Sequence, residues 1–468
     1  MNLQKGQIIE LDIEKIAFGG NGIGKYEGRV VFVPGTMPGD KVKASFTRIK
    51  DSFAEADLVE VVKGSVDRLA PKCKFFEKCG GCQFQFMPYE MQLQIKKQQV
   101  VDAFERIGKI PNPPVSEIIG CEMQYYYRNK MEFSFGYDAE MNFALGMHLP
   151  GRRYDILDLT ECHLQSEFSV KILNAIRDFI KKTAWPPFKY SVGEGFLQAL
   201  YIREGKRTNE VMVNFVTSDD VPKNFDEKMK EFVKILEGID GESESAGAKK
   251  ITSIYWTKVV SKKGIPKQRL ETLLSGKKTL TEKLKLRNGD ELSFEILPQA
   301  FFQVNTFQAE ILYNQVVDFA LRNSHETVFD LFCGTGTIGL FLAKHVEQVF
   351  GVELNLDAVK TARENAVANK IFNIDFLAGD VGKVLHQMKE RPSLIVIDPP
   401  RAGLTKGMIE KLNEFDAKTI VYVSCNPATS ARDCLLLAEY GYSVKEIVPV
   451  DMFPNSAHIE CVSLLVRG

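Results

Sequence analysis

The chain has 468 residues, too many for one hydrophobic core, so two to four domains are expected. Its composition is that of an ordinary globular protein, and a net charge of −1 excludes a molecule that grips polyanions over its whole surface. The opening MNLQKGQIIELDIEK carries charges where a secretion signal needs an apolar core, and no apolar run reaches membrane-spanning length. A cytoplasmic protein with no membrane contact is expected. In that reducing compartment nine cysteines argue for metal binding or catalysis rather than disulfides.

Residues 1–64 read as short alternating strands (GQIIELDIEKIA, GRVVFVPG, DKVKASFTRI, AEADLVEVV) cut by Gly and Pro turns, the pattern of a small β-barrel. The GGNGIG run at Gly19–Gly24 is followed by a strand, not a helix, so it reads as a hairpin and not a nucleotide loop. Next, Cys73, Cys79 and Cys82 are spaced C-x5-C-x2-C. Three thiolates in ten residues suit a soft metal that needs a fourth ligand, and spacing alone does not separate zinc from iron-sulfur.

Apolar residues at helical spacing predict a helix near 88–108, placed so that it can pack against the C-terminal part. From Tyr125 to Leu297 the pattern is strand-like, with one helix near Asp226–Leu236 and a polar surface loop, GESESAGAKK, at Gly241–Lys250. YYYRNKMEF (Tyr125–Phe133) interleaves aromatics with Arg128 and Lys130, which fits either a grip on single-stranded RNA or an amphipathic strand. KKGIPKQR (Lys262–Arg269) is a basic run, more often a solvated face than an RNA contact.

From Gln299 strands alternate with helices: TVFDLF, QVFGVEL, IDFLAGD, SLIVIDPP, TIVYVSC and VSLLV. That alternation predicts a mostly parallel doubly wound sheet, with ligands at the carboxyl ends of its strands. DLFCGTGTIGL sets a glycine turn between a strand and a helix. Glu353 ends the next strand, where an acid accepts both ribose hydroxyls, Asp380 ends the third and Asp398 the fourth. This order of acids resembles the class I S-adenosylmethionine methyltransferases rather than a dinucleotide enzyme.

Cys425 follows the fifth strand, in VSCNP. C5 of uracil is a poor nucleophile, and a thiolate adding to C6 makes it reactive; the C5 proton must then pass to a base. Cys425 suits the first task. Glu460, in HIECVSLLV beside apolar neighbours that raise its pKa, suits the second. His458 is the competing base.

DLFCGTGTIGL, IDPPRAG, VSCNPATSARD, HIECVSLL and FFQVN (Phe301–Asn305) together resemble the RNA uracil-5 methyltransferase family, over nearly the entire chain. The resemblance implies Cys425 as nucleophile and Glu460 as proton acceptor, with Gln303, Phe332, Glu353 and Asp398 on S-adenosylmethionine and Thr337 and Asp380 at more variable contacts. The N-terminal segment resembles a TRAM domain, an RNA-binding, OB-like barrel. The family's 23S rRNA branch implies a 4Fe-4S cluster on Cys73, Cys79, Cys82 and the distant Cys162 in LTECHLQ, with Cys121 as the alternative fourth ligand.

The expected architecture is therefore a TRAM barrel (1–64), a central α+β domain with the iron-sulfur cluster and RNA contacts (65–298), and a C-terminal α/β class I Rossmann-like methyltransferase domain (299–468). The expected activity is formation of 5-methyluridine in 23S rRNA by a monomer. A tRNA T-loop uracil, or a non-catalytic iron-sulfur factor for ribosome assembly, are the alternatives.

Overall fold

The computed structural model describes residues 3–241, 243–244, 247–261, 264 and 266–468. Five strands, β1 (Ile8–Ile16), β2 (Gly22–Tyr26), β3 (Arg29–Val33), β4 (Lys41–Ile49) and β5 (Phe53–Lys63), form a closed barrel in the order β1-β2-β3-β5-β4. Their strict alternation turns Ile9, Leu11, Val31, Val42, Phe46 and Ala54 inward and leaves the charged residues between them outside. Gly19 and Gly20, at φ 94° and 95°, turn β1 into β2, so the GGNGIG run is the hairpin that was expected.

After the cysteine segment comes α1 (Tyr89–Arg106), then β6 (Lys130–Tyr137), β7 (Phe143–Leu149), β8 (Arg152–Asp158), α2 (Glu167–Lys181), β9 (Leu197–Glu204), β10 (Glu210–Ser218), α3 (Phe225–Glu237), β11 (Ser243–Glu244), β12 (Gly247–Ala248), β13 (Lys250–Val260) and β14 (Gln268–Gly276). The long strands form one sheet, β14-β13-β10-β9-β6-β7-β8. Helices α2 and α3 share its apolar cluster through Phe168, Ile172, Ile176, Phe225 and Phe232. Helix α3 matches the expected one. Helix α2 lies where only strands were expected, started by Ser166, whose side chain accepts from the Ser169 amide. The expected loop at 241–250 contains the paired two-residue strands β11 and β12, with Glu242, Ser245 and Ala246 outside the described residues. Lys262, Lys263 and Ile265 of the basic run are also outside them.

The hairpin of β15 (Leu280–Lys285) and β16 (Glu291–Ile296) precedes the expected boundary at 298/299. It nevertheless packs with the C-terminal core, where Leu284, Phe294 and Ile296 share a cluster with Leu312, Val316 and Ala362. The C-terminal elements are α4 (Thr306–Ala320), β17 (Thr327–Leu331), α5 (Thr337–Ala343), β18 (Gln348–Glu353), α6 (Leu356–Ala368), β19 (Ile374–Ala378), α7 (Val381–Leu385), β20 (Leu394–Ile397), α8 (Lys406–Glu414), β21 (Thr419–Ser424), α9 (Pro427–Ala438), β22 (Tyr442–Val450) and β23 (Glu460–Arg467). The sheet runs β19-β18-β17-β20-β21-β23-β22, parallel except for β23. Strand β22 was not among the expected strands.

Both faces of this sheet are covered, as a parallel sheet requires. Helices α4, α5 and α6 contribute to one apolar cluster, and α7, α8 and α9 to the other. On the second face α1 also takes part: Val100 and Phe104 are fully buried among Ala431, Cys434 and Ile447. Chain order does not separate the domains here. Among the described residues no helix is long and apolar enough to cross a membrane.

Candidate active site

The strand order reverses between β17 and β20, which opens a crevice at their carboxyl ends. The turn leaving β17 is made by positive φ angles at Phe332 (64°), Gly334 (54°) and Gly336 (79°). At Gly336 a Cβ would lie 2.5 Å from the Phe376 ring, so only glycine fits there. Glu353, at the end of β18, holds this turn by accepting from the Gly334 amide at 3.1 Å, and its other oxygen accepts from the Asn355 amide at 2.8 Å.

Beneath the turn the buried Asp330 accepts from the Gly339 amide at 2.8 Å, while its second oxygen has no partner. Burial pushes this carboxyl up to about 8. Asp330 did not figure among the expected site residues. The Asp that heads the D-x-x-x-G-x-G turn was the signal available for it. A glycine cradle, a buried acceptor without a donor and an acid on the neighbouring strand fit a nucleoside cofactor.

Thr337 opens α5, buried, with its hydroxyl 3.4 Å from that of Thr335. Gln303 is buried in the segment entering α4, and its carbonyl accepts from the side chain of Asn129 in the central part. Asp380 is exposed at the end of β19 and caps α7 by accepting from the Lys383 amide. That cap alone accounts for an acid at this position.

The two residues expected to react come from adjacent antiparallel strands. Ser424 of β21 lies opposite Cys461 of β23, so the next residues outward, Cys425 and Glu460, stand across from each other. Cys425 is half-buried directly before Asn426, the cap of α9. Burial pushes its thiol up to about 11; the charges of Glu460 and Asp398 add to the rise and Arg401 opposes it. Glu460 is 5% exposed, and burial, reinforced by Asp398, holds its carboxyl well above the usual range, again with Arg401 opposing. Burial takes Asp398 up to about 7. His458 is exposed on the rim, 3.5 Å from the Arg401 guanidinium, and burial of its ring with nearby cations lowers its pKa.

The D-P-P-R-A-G loop that carries Asp398 and Arg401 is tied to α9. The carbonyl of Arg401 accepts from Asn426 Nδ2 and Thr429 Oγ1, and Arg432 donates to the carbonyls of Ala402 and Leu404. Buried Asp433 completes the tie, accepting from the Leu404 amide and the Tyr422 hydroxyl, both at 2.7 Å. The helix after the cysteine therefore fixes the loop that tunes it.

Away from this crevice, Cys73, Cys79, Cys82 and Cys162 line one cavity with Phe76, Met131 and Met147. All four are free thiols. Burial raises each of them, Cys79 to about 11 and Cys82 to about 12, and Cys162 adds to the rise in the other three. Among the described residues no three His, Cys, Asp or Glu side chains are already gathered tightly enough to hold a metal ion. Cys121 is buried elsewhere, its thiol donating to the Met123 carbonyl. In the aromatic stretch Tyr127 is core, with its hydroxyl on the Pro454 carbonyl, whereas Lys72 lies 4.8 Å over both the Tyr125 and Tyr126 rings.

The profile of the tRNA (Uracil-5-)-methyltransferase family matches residues 245–468, and that of the TRAM domain matches residues 2–59. An uncharacterized RNA methyltransferase of Clostridium tetani is 37% identical over 100% of this chain and 99% of its own. Another from Caldanaerobacter subterraneus is 36% identical over the full length of both. The tRNA (uracil-54, C5)-methyltransferase of Pyrococcus abyssi, solved with S-adenosyl-L-homocysteine, superposes with a TM-score of 0.75 at 28% identity, covering 98% of this chain and all of that one. The chain belongs to the tRNA (uracil-5-)-methyltransferase family, S-adenosylmethionine-dependent enzymes that act on RNA, and it carries a TRAM domain at its N-terminal end.

Proposed function

We propose that this protein forms 5-methyluridine at a specific uridine of 23S rRNA through a covalent Cys425 adduct. The observation that carries the chemistry is the β21–β23 register, which sets a strand-end thiol opposite a buried carboxylate with Asp398 and Arg401 beside both. S-adenosylmethionine would supply a methyl group on a sulfonium; Glu353 and the Gly334–Gly336 turn would hold its nucleoside, with Gln303, Phe332, Thr337, Asp380 and Asp398 as further contacts.

The Cys425 thiolate adds to C6 of the flipped uracil, forming the S–C6 bond and moving the ring π electrons onto O4. The enolate electrons then return through C5 to form the C5–methyl bond, and the methyl–sulfur bond of the sulfonium would break to leave a neutral thioether. Glu460 removes the C5 proton, the C5–H electrons restore the C5–C6 double bond, and the C6–S bond breaks to return the thiolate. Arg401 is the group that favours the ionised forms of both partners.

The four thiols that share a cavity support a 4Fe-4S cluster on Cys73, Cys79, Cys82 and Cys162, bound as thiolates and acting as a structural staple. Those cysteines, absent as a rule from bacterial tRNA enzymes of the resembled family, favour rRNA. The full-length likeness to a tRNA (uracil-54, C5)-methyltransferase favours the second reading, a tRNA T-loop uridine. We read the enzyme as a cytoplasmic monomer. Nucleoside mass spectrometry of rRNA and tRNA from a strain lacking the protein separates the readings. The proposal expects 5-methyluridine to vanish from 23S rRNA and persist in tRNA, and the reverse pattern overturns it.

A further inference from the structure

The loop from β22 to β23 delivers Glu460, and the anchors of its Pro454–Ala457 stretch lie 327 to 374 positions earlier in the chain. At its centre Asn455 adopts φ 64° and is 3% exposed. Its amide donates to Gln92 Oε1 at 2.9 Å, its side-chain oxygen accepts from Gln92 Nε2 at 3.2 Å, and its Nδ2 donates to the Gln124 carbonyl at 2.8 Å. Its carbonyl accepts from the amides of Gln83 and Phe84 at 2.8 and 3.0 Å.

Gln83 directly follows Cys82; its side chain donates to Gly80 inside the cysteine segment and accepts from the Ala457 amide at 3.2 Å. The barrel also reaches this point: a Cβ on Gly20 would lie 3.1 Å from Ala457 and 3.3 Å from Gln83. A left-handed Asn that uses all its polar groups on distant segments is held by its surroundings, and such strain collects at functional sites.

We infer that Asn455 is a positioning residue for proton abstraction, clamping the β22–β23 loop to the cysteine segment and so fixing the Glu460 carboxylate against C5. This rests on the reading of Glu460 as the base. A base must stand within hydrogen-bond reach of its proton, and a misplacement of about 1 Å slows a step by up to about a hundredfold. The clamp bears on neither the Gly334–Glu353 cradle nor Cys425, which β21 and the α9 cap hold. Its loss therefore strikes release of the adduct and spares both cofactor binding and adduct formation.

The test uses the full-length protein and bulk RNA from a strain lacking it, with three readouts: the covalent adduct on denaturing gels, 5-methyluridine formed, and affinity for S-adenosylmethionine. Asn455→Gly keeps the positive φ, the amide bond to Gln92 and the carbonyl bonds but loses the side-chain links to Gln92 and Gln124. The expected result is a persistent adduct and turnover about tenfold or more slower, with cofactor affinity unchanged. Gln83→Ala, which cuts the Ala457 bond together with the Gly80 bond and leaves the Asn455 side chain in place, shows the same pattern more mildly. Wild-type release in both variants, or parallel loss of adduct and cofactor affinity, overturns the clamp. An absence of adduct in Glu460→Gln instead removes Glu460 as the base, and the clamp falls with that assignment.

Discussion

Cys425 and Glu460 both stand where the charged form is disfavoured, the thiol pushed up to about 11 and the carboxyl well above its usual range. Each must be ionised to work, and each ionised fraction grows as pH rises toward its raised pKa. The rate of adduct formation and the overall turnover are therefore expected to climb between about pH 7 and pH 9; a profile falling over that span contradicts the assignments. Arg401→Met removes the cation that lowers both, so the same profile moves to higher pH, read from turnover across a buffer series. Glu460→Gln lowers turnover by about 10²- to 10⁴-fold, measured as 5-methyluridine formed, while leaving the adduct in place. These two residues were legible in the sequence because the chemistry demands a strand-end thiol and a nearby acid. Asp433 and Asn455 were not, since their partners lie 29 and 363 positions away and neither type announces its contacts.

Six of the seven strands of the catalytic sheet were legible in the alternation of apolar strand and helix; β22 was not, and neither was α2 of the central part. In α2 the run EFSVKILNAIRDFIK is rich in Ile, Phe and Val and reads as strand, although Phe168, Ile172 and Ile176 already lie on one helical face behind a Ser cap. The run of β22, YSVKEIVPV, contains Pro449, a residue disfavoured inside a sheet. The structure tolerates it at the sheet's last strand, where the backbone at Pro114–Ile119 pairs alongside and covers what would be an open edge.

Helix α1 was legible as a helix able to pack on the C-terminal part, but the residues that hold it there were not. Lys96 and Asp451, both with fully buried side chains, meet at 2.6 Å, and the Tyr89 hydroxyl donates to the same carboxylate. Lys96→Ala leaves that carboxylate buried without its cation. The expected loss is about 3–5 kcal/mol, seen as a lower denaturation midpoint, with Phe104→Ala costing a similar amount through the cavity it leaves.

At the scale of the molecule, barrel, central sheet and catalytic sheet meet around the loop before Glu460, so the three parts act as one body at the reacting end. Length gave a range of two to four parts and nothing of this interlock, because the contacts join residues hundreds of positions apart. The cysteine segment is one wall of that junction, and anaerobically purified protein is expected to contain about four iron and four sulfide per chain. Cys162→Ala should lose them, with a lower melting temperature; a full iron complement in that variant contradicts the fourth-ligand assignment.

The account as a whole depends on sulfur–carbon bond formation at one residue. The most direct measurement is peptide mapping of the RNA-linked species trapped by Glu460→Gln. The expected result is a uridine-derived mass on the peptide bearing Cys425, absent when Cys425→Ala is added. An adduct on another residue, or one that survives that second substitution, contradicts it.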